Sequence, residues 1–281
     1  MTKKDFPEQD QTQPGEAHKM MPQPTLIRQN YKGSGKLKDK VALVTGGDSG
    51  IGASAVLHFA KEGANIVIVY LEETKDAEAI HAEVENMGRK CLLIKTDVSD
   101  AVNCEHCVQA CIEEYGQLNI VVNNAAMQFP QDALQDISKN QLHKTFETNI
   151  YPYFYLTKAA LDHLTAGDTI INTSSVTAYR GSQHLVDYAS TKGAIVGFTR
   201  SLSAQLAPKN IRVNGVAPGP IWTPLIPSSF DDVSEFGQDT PLARAGQPSE
   251  VGPAYVFLAS EDSSYITGQF IHVNGGEIIG G

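Results

Sequence analysis

The chain has 281 residues, 41% hydrophobic and 19% charged, and its 22 Lys and Arg against 32 Asp and Glu give a formal net charge of −10. That balance repels phosphodiester backbones and anionic lipid, which excludes a general nucleic-acid or membrane-surface role. No window of about 18 consecutive apolar residues is present, the opening MTKKDFPEQD lacks the apolar stretch of a secretory signal, and four Cys are too few for a disulfide scaffold, so a cytoplasmic protein with reduced thiols is expected.

Residues 1–36 carry Pro7, Pro14, Pro22 and Pro24 with five Gln and no repeating apolar pattern. They read as an extended arm, either solvated or laid along a surface of its own domain or of a neighbouring subunit, and the expectation is that it clasps a neighbour. The arm is also where the basic residues gather, since residues 1–40 hold eight Lys or Arg against five acids while residues 41–281 hold 14 against 27. From 37 to 281 a single domain is expected. Short β-branched runs (VALVT at 41–45, NIVIVY at 65–70, CLLIKT at 91–96, NIVVN at 119–123, TIINTSS at 169–175, IRVNGVAP at 211–218, FIHVNGG at 270–276) alternate with segments of helical periodicity. This order predicts an α/β fold of the Rossmann type, a doubly wound sheet of about seven parallel strands with helices on both faces. Helices on both faces explain why the strands are apolar throughout instead of alternating.

Directly after the first strand comes TGGDSGIG, Thr45 to Gly52, followed by a helical segment ending near Gly63. A glycine-rich turn between strand and helix lets the backbone approach a pyrophosphate and aims free amides and the positive helix end at it. Gly46, Gly50 and Gly52 give a G-x-x-x-G-x-G spacing, with Asp48, Ser49 and Ile51 between them. At the end of the second strand, where an acid accepts from an adenine-ribose hydroxyl and a cation welcomes a 2′-phosphate, the chain reads Tyr70, Leu71, Glu72, Glu73. With Asp48 nearby and nothing cationic, NAD is favoured over NADP, although Tyr70 itself is neither acid nor base.

Two polar clusters stand where apolar strands end. INTSSVTAY puts Ser174 and Ser175 at the carboxyl end of the fifth strand, and DYASTKGAIVGFTRSLSAQLAP begins a helix bearing Tyr188 and Lys192. Positions four apart share a helix face, so an ammonium stands one turn from a phenol whose ordinary pKa of about 10 makes it a poor acid or base near neutrality. Proximity of that charge favours the phenolate.

Taken together, TGGDSGIG, NNAA, Asn149, the Tyr-x-x-x-Lys pair and PGPIWT resemble the short-chain dehydrogenase/reductase family, in order and from about residue 40 to the C-terminus. The Gln/Pro-rich arm, YKGSGKL, SVTAYRG and PGPIWTPLIP are similar to a bacterial subgroup labelled general-stress or glucose/ribitol-dehydrogenase-like. The resemblance implies a hydride transfer between a nicotinamide and a carbonyl or alcohol. Tyr188 is then the general acid or base, Lys192 lowers its pKa and bonds the nicotinamide ribose, Ser175 bonds the reacting oxygen, and Asn149 holds a water in a proton relay. It implies further that Asp97 bonds the adenine, that Gly46, Asp48, Ser49, Gly50, Ile51, Gly52, Tyr70, Leu71, Val98, Asn124 and Ala125 line the cofactor, and that Pro218, Gly219, Ile221 and Thr223 embrace the carboxamide. The family's NNAG is NNAA here, with Ala126 adding one methyl group. A homotetramer built through the helices carrying Asn149 and Tyr188, and by the last strand, is also implied.

For the substrate, the resemblance makes the stretch at about 221–245 a lid, with Trp222, Leu225 and Ile226 closing the pocket against water, and Met127, Gln128 and Phe129 after NNAA a second wall. His184, four residues before Tyr188, is a further candidate contact. A small alcohol, aldehyde or ketone suits these walls, with a polyol also open. Cys104, Cys107 and Cys111 fall on one helical face with Val108 and Tyr115, a core-facing stripe, so no metal is expected despite the adjacent His106. Two alternatives stand beside the dehydrogenase. An acyl-carrier reductase should show a basic docking surface, whereas the lid offers Arg244 against Asp231, Asp232, Glu235 and Asp239. A nucleotide-binding redox sensor would bind without efficient turnover.

Overall fold

A computed structural model of the protein describes residues 6–279; the first five residues of the expected arm and the last two of the expected domain lie outside the described residues. Each β-branched run becomes a strand: β1 (Val41–Thr45), β2 (Asn65–Tyr70), β3 (Cys91–Lys95), β4 (Ile120–Asn123), β5 (Thr169–Thr173), β6 (Arg212–Pro218) and β7 (Phe270–Val273). They form one seven-stranded sheet in the order β3-β2-β1-β4-β5-β6-β7, with every pair parallel. Some expected ends retreat by a residue or two. β4 starts at Ile120 because Asn119 turns its side chain to accept the Val41 N–H at 2.9 Å, and β5 stops before Ser174 and Ser175, which the next turn redirects.

The connecting helices are α1 (Gly50–Lys61), α2 (Thr74–Asn86), α3 (Ala101–Tyr115), α4 (Lys139–Asn149), α5 (Tyr151–Ala160), α6 (Thr177–Arg180), α7 (Val186–Leu206) and α8 (Pro248–Ala259). Alternate strand residues face opposite helix layers, as the pleat demands. Ala42, Val44, Ile66 and Ile68 pack with α1, α2 and α8, whereas Val41, Leu43, Val67 and Val69 pack with α3, α5 and α7. Cys104, Cys107 and Cys111 are buried free thiols beside Val108 in the second layer, the core stripe that the helical spacing predicts. No helix of the described residues is long and apolar enough to cross a membrane.

The arm lies on its own chain, because its few anchors find buried partners there. Phe6 stacks on Trp222 with centroids 3.8 Å apart and planes at 11°, and with Met20, Ile226, Val233 and Ala245 they make a small core under the lid. Further along, Glu62 at the C-terminal end of α1 accepts from the Tyr31 hydroxyl at 2.6 Å, Ser34 N at 2.8 Å and Lys36 N at 3.1 Å. These donors hold its carboxyl below the ordinary range although burial opposes them. Leu37 then enters the main core.

Phe6→Ala should therefore destabilise the protein by about 2 kcal/mol, less than the ~3–5 kcal/mol of a full core phenylalanine. Calorimetric melting checks this, and an unchanged Tm would mean that the arm is not packed.

Candidate active site

In a parallel sheet the ligand crevice opens at the carboxyl ends of the strands where strand order reverses, here between β1 and β4. Gly46 and Gly50 adopt φ of 61° and 51°, backbone that a side chain disfavours. Gly52 serves differently. A Cβ there would fall 1.9 Å from the Gly46 carbonyl oxygen and 2.7 Å from Asn124 Nδ2, so it allows α1 to close on the turn and does not line the cleft. Asn124 Nδ2 donates to the Thr45 and Gly46 carbonyls at 3.0 and 3.2 Å, tying the turn to the end of β4. Ser49, the N-cap of α1, places no side-chain bond on the first turn, so the amides of Gly50 and Ile51 stay open to the cleft, a fit for a pyrophosphate.

One cleft of about 370 Å³ runs from this turn to α7. Of the expected cofactor residues, Gly46, Asp48, Ser49, Gly50, Ile51, Tyr70, Leu71, Asp97, Val98, Asn124 and Ala125 line one end. Pro218, Gly219 and Ile221 line the cleft with Ser175, Tyr188 and Lys192, Thr223 packs over Gly50 of the turn, and Met127, Leu225 and Ile226 add apolar wall. At the β2 end, burial and the neighbouring Glu73 carboxylate push Asp48 up to about 7.

Tyr188 is 8% exposed, and burial pushes its phenol up to about 12 while a hydrogen bond from Ser175 pulls the other way. Lys192 is 1% exposed; its Nζ donates to the Thr173 carbonyl at 3.0 Å and lies 5.3 Å from the Tyr188 ring centroid. Burial lowers it to about 7. The expected depression of the tyrosine is thus overridden by burial, since the ammonium sits against the ring and the β5 carbonyl. Both Ser174 and Ser175 line the cleft, but Ser174 donates to the Lys192 carbonyl at 2.9 Å, whereas Ser175 bonds Tyr188.

Several expected residues stand elsewhere. Asn149 ends α4 behind the wall, where its Oδ1 accepts Met127 N at 2.8 Å and its Nδ2 donates to Met127 O at 2.7 Å. Its Nδ2 also donates to the Thr191 hydroxyl of α7 at 3.3 Å, so it meets the cleft through Met127 and through the helix that carries Tyr188. Trp222 is fully buried, bonded through Nε1 to the Pro22 carbonyl at 2.8 Å and stacked on Phe6, so it anchors the arm instead of lining the pocket. Phe129 faces away while its carbonyl accepts from Gln141 Nε2 at 3.0 Å. His184 lies outside the cleft, half-exposed and 3.5 Å from Asp132. Conversely, Gln13, Pro14 and Gly15 of the arm, Glu73, Arg180 and Leu185 line it without having been anticipated. The signal for Leu185 was its place one turn before Tyr188; nothing local marks the arm residues.

This turn, cleft and buried phenol define a nicotinamide-dependent oxidoreductase. A family described as "Enoyl-(Acyl carrier protein) reductase" matches residues 46–277. Among curated relatives, the glucose and ribitol dehydrogenase of Daucus carota is 48% identical, over 98% of this chain and 97% of that protein. The NADPH-dependent aldehyde reductase 1 of Arabidopsis thaliana is 47% identical, over 95% and 96%. A short chain dehydrogenase from Burkholderia cenocepacia J2315, solved in complex with NADP, superposes with a TM-score of 0.81 at 30% identity, covering 86% of this chain and 98% of that one. The chain belongs to the short-chain dehydrogenase/reductase family and acts on alcohol-type substrates. Those neighbours lend no support to the expected preference for NAD.

Lys192 supplies a stability test. Its folded pKa of about 7 lies below its ordinary 10.5, so the folded protein binds fewer protons than the unfolded chain between those values and gains stability as pH rises through that window. Lys192→Met removes the buried ammonium and should raise Tm at about pH 6 by roughly 2–4 °C per kcal/mol gained, with the difference shrinking towards about pH 10.

Proposed function

We propose that the protein reduces small aldehydes and ketones, and oxidises the corresponding alcohols, with Tyr188 as the proton donor and Ser175 as its partner on the substrate oxygen. The observation that carries this reading is the buried Tyr188 hydroxyl, beside Ser175 at one end of a cleft whose other end is a phosphate-binding turn. The dinucleotide supplies or takes the hydride. Near neutrality the Tyr188 phenol is protonated, the form that gives a proton to a carbonyl oxygen as it gains negative charge. Lys192 then stabilises the phenoxide that remains, across the 5.3 Å to the ring.

The proton is restored through Lys192. Asn149 has committed its side chain to Met127 and Thr191, and Tyr153 N donates to Ile150 O at 3.2 Å, so the Asn149 carbonyl lacks the donor that a continuous helix would give it. That carbonyl, and not the side chain, is the group suited to hold the relay water. Met127, Leu225, Ile226 and Phe230 form an apolar wall that favours small carbonyl compounds, in keeping with the relative named an aldehyde reductase. Arg244 is held by Glu250 through two bonds of 2.8 Å, which removes the lid's one cation from any docking of an acyl carrier.

For the cofactor we infer a preference for NAD(H), because Asp48 and Glu73 set carboxylates at the β2 end of the cleft, where they repel a 2′-phosphate, and burial together with Glu73 pushes Asp48 up. A homotetramer through α4, α5 and α7 is supported by the exposed Tyr151 and Phe154 at that face, 42% and 52% accessible. The free buried thiols suit the reducing cytoplasm.

Tyr188→Phe should abolish turnover of an aldehyde panel, read at the nicotinamide absorbance, while leaving NADH binding within a few fold; activity near wild type would defeat the assignment. Asp48 gains charge as pH rises through about 7, so the ratio of KM for NADP to KM for NAD should grow between about pH 6 and pH 8. A flat ratio, or one below unity throughout, would overturn the NAD preference.

A further inference from the structure

The arm precedes the stretch that the family match covers, residues 46–277, yet three of its residues wall the same cleft as the phosphate turn and Tyr188. Two anchors hold this part of the arm, at opposite ends of that cleft. At the catalytic end, Gln13 commits its whole side-chain amide to one residue. Its Nε2 donates to the Gln128 carbonyl and its Oε1 accepts the Gln128 N–H at 3.2 Å. At the β2 end, the buried Asp76 carboxylate in the first turn of α2 accepts from Ala17 N at 2.6 Å and His18 N at 3.1 Å, with His18 Nδ1 2.9 Å away.

Between these anchors Gly15 presses on the lid. A Cβ at Gly15 would fall 2.4 Å from the Pro224 carbonyl oxygen, and Pro224 in turn lies over Gly50, 3.7 Å from where that glycine's Cβ would be. The chain from Gln13 to His18 therefore crosses the cleft above the phosphate turn, from the wall beside Tyr188 to the start of α2. Gln128 adjoins Met127, whose N–H and carbonyl are both bonded to Asn149. The Met127–Gln128 segment is thus gripped from behind by α4 and from in front by the arm.

We propose that residues 13–18 are a strap in cis that retains the dinucleotide in its groove, and that Gln13 is the positioning residue that latches it to the catalytic end. The inference rests on the oxidoreductase reading above. A dinucleotide lying along the phosphate turn is covered by the strap, so its departure requires the Gln13–Gln128 pair to open. A glutamate at position 13 would keep the acceptor but set an oxygen against the Gln128 carbonyl, which makes the latch specific to the amide.

The test uses the full chain carrying Gln13→Ala, Gln13→Glu or Gly15→Val, with NADH as the probe. Three quantities are measured: the NADH dissociation rate by stopped-flow fluorescence, KM for NADH and kcat with an aldehyde the wild type reduces, and Tm. The strap predicts dissociation faster on the order of tenfold in all three variants, the size expected when a pair of hydrogen bonds is lost, with KM for NADH raised and kcat equal or higher. A purely structural arm would instead lower Tm and leave the dissociation rate unchanged. Dissociation within twofold of wild type in the folded variants overturns the strap; should Gly15→Val fail to fold, the two Gln13 variants decide. Wild type that binds neither NADH nor NADPH overturns the oxidoreductase reading and the strap with it, whereas wild type that binds either one while the variants match it removes the strap alone.

Discussion

All seven strands run the same way, and that single constraint organises the molecule. Parallel strands cannot be joined by tight hairpins, so each connection is a crossover that covers a face with a helix, and every carboxyl end opens on one edge. At that edge the strands stop delivering main-chain partners to one another. The polar side chains that follow them, Thr45, Asn124, Ser174 and Ser175, take over that bonding or remain free for a ligand. The site is thus a consequence of strand direction, with the glycine turn at the point where strand order reverses.

The groups gathered there are held against their solution preferences. Asp48 is pushed up, Tyr188 up and Lys192 down, each chiefly by loss of water. Among the described residues no buried carboxylate pairs with Lys192; a strand carbonyl and an aromatic ring face it instead. An ammonium so placed is poorly stabilised until negative charge develops on the phenol beside it. The same burial that costs stability keeps the phenol protonated at neutral pH.

The arm and the lid make one unit. Phe6 and Met20 complete a small core with Trp222, Ile226 and Val233, while Arg28 joins the Arg244–Glu250 pair at 3.1 Å. A lid with a core of its own is a wall and not a loose flap, which explains how a long Pro- and Ser-rich segment stays ordered without strands or helices. It also accounts for Trp222, whose indole N–H and ring are both engaged by the arm and unavailable to a substrate.

The strands, the glycine turn and the Tyr188–Lys192 pair were legible in the sequence, because each depends on residues within a turn or a strand of one another, whereas Ser175 was marked only by the family resemblance. β-branched runs set the sheet, glycine spacing sets the turn, and a four-residue interval sets a helix face. What the sequence could not supply depended on contacts across 50 to 200 positions. Asn119 shortens β4 by bonding Val41, Gln13 reaches Gln128, Ala17 reaches Asp76, and Pro22 takes the Trp222 indole. The tertiary structure alone decided that Trp222, Phe129 and His184 turn from the cleft, that Asn149 bonds Met127 and Thr191, and that burial pushes the tyrosine up despite the nearby ammonium. Burial and long-range partners are properties of the assembled core, and no local pattern of residues encodes them.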